Sequence, residues 1–108
     1  MTKERYDAAN RRLALYARAL GHPARIAIME FLARREQCYF GAIHEELPIS
    51  KATVSQHLKA LRAAGLIQGE VEAPKVKYCI DRRAWDEARA LFGSFFSQCL
   101  CKHDNCCE

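Results

Sequence analysis

Between Tyr6 and Leu20 the apolar residues Tyr6, Leu13, Ala17 and Leu20 return at helical spacing, while Arg5, Arg11, Arg12 and Arg18 fall in other directions. This pattern predicts an amphipathic first helix from Thr2 to Leu20, stopped at Gly21. Pro23 suits the first position of a second helix because its missing N–H has no partner to lose there. Ile26, Met29, Leu32 and Ala33 give that helix a buried stripe to about Arg35. A short third helix is expected from Phe40 to Leu47, with Phe40, Ile43 and Leu47 on one face and Pro48 closing it. Ser50 is placed to cap a fourth helix, Lys51 to Ala64, in which Val54, Leu58, Leu61 and Gly65 share a side. Beyond Gly65 the period changes to two. Val76, Tyr78 and Ile80 alternate with Lys75, Lys77 and Cys79, which predicts a β-hairpin whose first strand runs from Leu66 to Val71. Asp81 is placed to cap a last helix through Trp85, Ala88, Phe92, Phe95, Phe96 and Cys99. Its aromatic stripe is wider than a lone terminal helix can hide.

The fold class expected is mainly α with a small β-hairpin, a winged helix-turn-helix that dimerises through its first and last helices. Two short helices joined across Pro48-Ile49-Ser50 match the helix-turn-helix plan, in which the second helix enters the major groove of double-stranded DNA. Small residues at Ala52, Thr53 and Ser55 permit close approach, Gln56 can pair with an adenine edge, and Lys59 or Arg62 can meet phosphate. Lys75 and Lys77 lie on one side of the hairpin and can lean on the flanking backbone. The plainer alternative is a solvated helix in a small bundle, since a polar face by itself shows only exposure.

Charge agrees with the DNA reading: Ser50 to Arg83 carries seven basic residues against three acids, within a chain of net charge +4. No apolar run approaches the roughly 18 residues that span a bilayer, so a soluble cytoplasmic protein with no membrane partner is expected. The chain of 108 residues divides into residues 1–98, for DNA binding and dimerisation, and a cysteine-rich sensor tail, residues 99–108.

Four of the six cysteines, Cys99, Cys101, Cys106 and Cys107, fall in that tail. In a reducing cytosol such a cluster is better read as ligands or redox groups than as a disulfide framework. The spacer Lys102-His103-Asp104-Asn105 is long enough to fold back, so that two close pairs can converge on one ion. Thiolates favour thiophilic ions; trivalent arsenic takes three sulfurs, whereas zinc prefers four ligands. A small core role for Cys99 and a reversible thiol switch in the tail stand as alternatives. Cys38 and Cys79, isolated in sequence, are read as structural.

The run Leu20-Gly21-His22-Pro23-Ala24-Arg25-Ile26, followed by Ala52-Thr53-Val54-Ser55-Gln56-His57-Leu58-Lys59-Ala60-Leu61-Arg62-Ala63-Ala64-Gly65-Leu66-Ile67, resembles the ArsR/SmtB family of metal- and metalloid-responsive repressors. The resemblance covers about residues 10 to 98. It implies a homodimer that leaves its operator when a toxic ion binds, with Ser50, Lys51, Thr53, Ser55, Gln56, His57 and Lys59 on the recognition helix. Many arsenic-responsive members carry a Cys-x-Cys pair at the start of the third helix; here the stretch reads Glu36-Gln37-Cys38-Tyr39-Phe40-Gly41, with one cysteine only. Trp85 to Gln98 contains no histidine, unlike the last helix of the family's zinc sensors. Some members place an arsenite site after the last helix, so the inducer expected is trivalent arsenic or antimony at Cys99, Cys101, Cys106 and Cys107. Cadmium, lead, zinc and thiol oxidation are the alternatives. An enzyme is not expected, since the chain offers no phosphate-cradling glycine loop and no paired carboxylates. A structural zinc module serving as a protein adaptor is the other rival class.

Overall fold

A computed structural model of the chain describes residues 6–35, 38–72 and 75–100. In chain order these form α1 (Ala8–Ala19), α2 (Pro23–Ala33), β1 (Tyr39–Phe40), a single 3₁₀ turn (Ile43–Glu45), α3 (Lys51–Ala63), β2 (Ile67–Glu72), β3 (Lys75–Ile80) and α4 (Arg82–Phe96). The strands make one antiparallel sheet in the order β1-β3-β2. The hairpin expected from the alternation is therefore present, with an additional short edge strand beside it.

Each α-helix starts on a side chain that satisfies an otherwise orphaned backbone N–H. Asp7 accepts from the Asn10 amide at 2.7 Å and Asp81 from the Ala84 amide at 3.0 Å. His22 Nδ1 accepts from the Ala24 amide at 3.0 Å, with Pro23 at the first helical position. Ser50 Oγ accepts from the Thr53 amide at 3.4 Å. The end of α3 is equally defined. Gly65 takes φ +84°, its amide donates to the Arg62 carbonyl, and the Leu66 amide donates to the Leu61 carbonyl. This two-bond closure needs a left-handed residue at its hinge, which glycine supplies without steric cost.

Tyr16, Ile28, Ile43, Leu61 and Leu66 are the largest fully buried side chains, one or more from α1, α2, the 3₁₀ turn, α3 and the link into β2. A single core thus sets the angle between α3 and the sheet. α1 packs on α4, where the Tyr16 hydroxyl donates to Glu87 at 2.5 Å and Arg12 pairs with the same carboxylate at 2.7 Å. Hydrogen bonds from Arg12 and Tyr16 hold the Glu87 carboxyl below the usual carboxylate range.

The helix expected from Phe40 to Leu47 is not formed. Tyr39 and Phe40 pair with Tyr78 and Lys77 of β3, Gly41 turns through φ +138°, and only Ile43–Glu45 coils, as the 3₁₀ turn. Apolar periodicity over so short a span suits a strand followed by a turn as well as a helix. The last helix also stops earlier than expected, at Phe96, with Ser97 as its C-cap.

Candidate nucleic-acid interface and thiol sites

α3 is two-faced in the way its sequence requires. Val54, Leu58 and Leu61 are buried, whereas Lys51, Thr53, Ser55, Gln56 and Lys59 are exposed together with the cap Ser50. Ser50 and Thr53 are tied to each other: their hydroxyls lie 3.0 Å apart and Thr53 Oγ1 also donates to the Ser50 carbonyl at 3.1 Å. That knot fixes the first turn. One turn further along, Ser55, Gln56 and Lys59 present a hydroxyl, an amide and an ammonium group to solvent, a set suited to base edges and phosphate.

His57, one of the DNA-binding candidates on α3, does not share the exposure of the others. It is 9 % exposed, its ring centroid lies 4.5 Å from that of His22, and its Nδ1 accepts from Arg25 Nε at 3.1 Å. Arg25 also donates to the Ala19 carbonyl at 3.3 Å, so His57 joins α3 to the start of α2 and the end of α1. Burial, followed by the neighbouring His22 and Arg25, holds the imidazole below its ordinary pKa. Helical spacing sets His57 at the border between the polar and apolar sides of α3, and its contacts with Arg25 and His22 draw it inward.

On the sheet, Lys77 is exposed and its Nζ lies 5.6 Å from the centre of the exposed Phe40 ring. Lys75 occupies the first position of β3, two residues before Lys77. At Gly69, paired with Tyr78, a Cβ would come within 2.4 Å of the Lys77 carbonyl oxygen, so the strands approach too closely there for any side chain. Gln68 Nε2 donates to Asp81 at 2.9 Å, fastening the base of the hairpin to the cap of α4. The Ala84 amide and Gln68 together hold the Asp81 carboxyl below its ordinary value.

The thiols divide into two places. Cys38 and Cys79, 41 residues apart, are joined by a disulfide with their Cα atoms 4.3 Å apart. The structural role read for them is thus a shared one, and sequence separation hid the pairing. Cys99 is exposed just beyond α4 and is itself disulfide-bonded. Of the tail cluster, read as ligands or redox groups rather than as a disulfide framework, Cys99 is thus found in bonded form. The other candidate ligands, Cys101, Cys106 and Cys107, lie outside the described residues. Among the described residues no three His, Cys, Asp or Glu side chains are grouped so as to hold a metal ion, and no helix is long and apolar enough to cross a membrane.

A helix-turn-helix domain family matches residues 20–70, the segment from the start of α2 into β2. The transcriptional repressor SmtB of Mycobacterium tuberculosis is 40% identical over 76 residues, 70% of this chain and 53% of the relative. The biofilm growth-associated repressor of Agrobacterium fabrum is 33% identical over 85 residues, 79% of this chain and 69% of the relative. Two solved structures share the fold at 26% identity: an ArsR-like transcriptional regulator from Rhodococcus sp. RHA1, with TM-score 0.64 over 84% of this chain and 88% of that one, and a possible transcriptional regulator for arsenical resistance, with TM-score 0.60 over 73% and 81%. The chain belongs to the ArsR/SmtB family. With that, the winged helix-turn-helix expected from the sequence is the fold observed, and the ArsR/SmtB regulators are DNA-binding proteins rather than enzymes. The chain spans 53% of the length of the SmtB relative it matches.

Proposed function

We propose that the chain is a DNA-binding transcriptional repressor, released from its operator when trivalent arsenic or antimony binds the reduced thiolates of Cys99, Cys101, Cys106 and Cys107. The observation that carries the DNA half is the outward face of α3, where Lys51, Ser55, Gln56 and Lys59 stand exposed on a helix whose other side is locked into the core. What supports the sensor half is the concentration of four cysteines directly behind α4, the preference of arsenic(III) for sulfur, and likeness to a possible regulator of arsenical resistance.

The working unit is a homodimer. Phe95 and Phe96 of α4 are exposed, stacked edge to face with centroids 5.0 Å apart, and Trp85 and Phe92 extend the same helix toward Leu20 at the end of α1. A second copy would cover this surface and set two α3 helices about 34 Å apart, one turn of DNA. Binding of the ion beside α4 would then act where the subunits meet, with a typical coupling of about 1 to 3 kcal/mol.

Anisotropy of a labelled duplex, selected from random sequence by the reduced protein, tests the reading. Arsenite should weaken binding by about 5 to 150-fold; unchanged affinity at saturating arsenite overturns it. Serine at positions 99, 101, 106 and 107 should leave a repressor that arsenite does not release. Because Cys99 is disulfide-bonded here, oxidation of the tail is the second reading, and it is separated by adding peroxide in place of arsenite. Cadmium, lead and zinc in the same titration decide which ion the thiolates select.

A further inference from the structure

The two ladder pairs of β1 and β3 are Tyr39 with Tyr78 and Phe40 with Lys77. Continuing that register by one residue sets Cys38 directly opposite Cys79, so their disulfide closes the end of the β1–β3 ladder. A strand of two residues has little of its own to hold it. β1 nevertheless occupies the one route from α2 to the 3₁₀ turn and on to α3. The crosslink therefore stands where a single covalent bond decides whether that route is fixed to the sheet.

The surroundings suit reversible chemistry more than inert burial. Both cysteines are part-exposed and line a cavity of about 360 Å³ together with Arg35, Arg82, Trp85 and Asp86. Arg35 is held there by stacking, its guanidinium carbon 4.1 Å from the centre of the Phe31 ring and 5.1 Å from that of Tyr39. Two guanidinium groups against one carboxylate favour the thiolate of a reduced cysteine at the cavity wall.

We propose that Cys38 and Cys79 form a second redox site, separate from the tail, at which a peroxide closes the disulfide and thereby stiffens the wing against the operator-reading helix. The thiolate of one cysteine attacks a peroxide oxygen; the O–O bond breaks, one oxygen leaves as water after taking a proton, and a sulfenic acid remains. The sulfur of the second cysteine attacks that sulfenic sulfur, the S–S bond forms, and hydroxide departs and takes up a proton as a second water. Two electrons pass from the pair of sulfurs to the peroxide. A dithiol reductant reverses the step by exchange.

The consequence for DNA rests on the operator-binding reading above. With the pair closed, β1 and β3 are fastened, and the wing that carries Lys77 keeps a fixed relation to α3. With the pair open, that order must be restored each time the protein docks, which weakens binding.

The test uses the full chain with serine at 99, 101, 106 and 107, in which Cys38 and Cys79 are the remaining cysteines. Hydrogen peroxide should remove both titratable thiols without making dimers linked through sulfur. Amide hydrogen exchange at Tyr39 and Phe40 should then slow by about tenfold, an opening event suppressed by the bond. The oxidised form should bind the selected duplex about fivefold more tightly than the reduced form. A further variant with serine at 38 and 79 should behave as the reduced form under both conditions. Thiols that survive peroxide, or exchange at β1 unaltered by oxidation, overturn the proposal. Equal or weaker DNA binding after oxidation overturns its regulatory half. Should neither state bind any duplex, the operator reading fails instead, while exchange at β1 still decides whether the site exists.

Discussion

α3 and α4 begin alike and end in opposite situations. Both start on an oxygen cap, Ser50 and Asp81, and both are amphipathic. α3 spends its apolar side within its own chain and shows solvent a polar face. α4 buries Ala84 and Ala88 but leaves Trp85, Phe95 and Phe96 in contact with water, with Phe96 73 % exposed. Outward polarity on a fully packed helix is what any solvated face shows, and it becomes a DNA-reading surface only on the function proposed above. Outward aromatic area on a half-packed helix marks one meant for protein. On the proposed function the same local design would serve two kinds of recognition, separated by which side of the helix the core claims.

Substitutions can break that contrast, beginning with the core. Leu61→Ala, which empties a fully buried site on α3, should lower unfolding stability by about 3 to 5 kcal/mol in a denaturant titration. Phe96→Ser on α4 should leave the subunit folded and move sedimentation from dimer toward monomer. If Phe96→Ser instead unfolds the subunit, the aromatic face belongs to the core and the comparison fails. Gln56→Ala should cost about 1 to 3 kcal/mol of operator binding and relax preference at one base pair, whereas Lys59→Ala should weaken all sequences alike and reduce the salt slope by about one. Gly65→Ala, forced to hold φ +84°, should cost about 1 kcal/mol or a little more.

The smallest effect is a pH dependence. His57 is held below its ordinary pKa of 6.5, first by burial and then by His22 and Arg25, so the unfolded chain takes up a proton there before the folded chain does. Its contribution to stability is complete above pH 6.5 and is lost as pH falls below that value. Asp81 and Glu87, held below the ordinary carboxylate values, add a loss of the same sign at lower pH, as protonation removes their partners. His57→Gln should flatten the upper part of the profile, measured by thermal melts between pH 7.5 and about 5.

Much of this was readable from residue order alone. The caps Ser50 and Asp81, the buried row Val54, Leu58 and Leu61, and the alternation from Lys75 to Ile80 are local signals, carried within a turn or a strand. The failures share a different physics. Phe40 to Leu47 reads as helical in period, but β3 offers Tyr39 and Phe40 a ladder that no local pattern reveals, and Gly41 turns the chain out of it. The Cys38–Cys79 bond and the Arg25–His57 contact join residues 41 and 32 positions apart. Such pairings depend on how elements pack, so the exposed face of α3 was legible in the sequence apart from the burial of His57, while the Cys38–Cys79 pairing was not.

The passage from α3 to β2 consists of Ala64, Gly65 and Leu66, bound back onto the last turn of the helix and sunk into the core at Leu66. Such a joint leaves the hairpin one short tether to the helix, so how stiffly the two travel together is left to whatever clamps the far edge of the sheet.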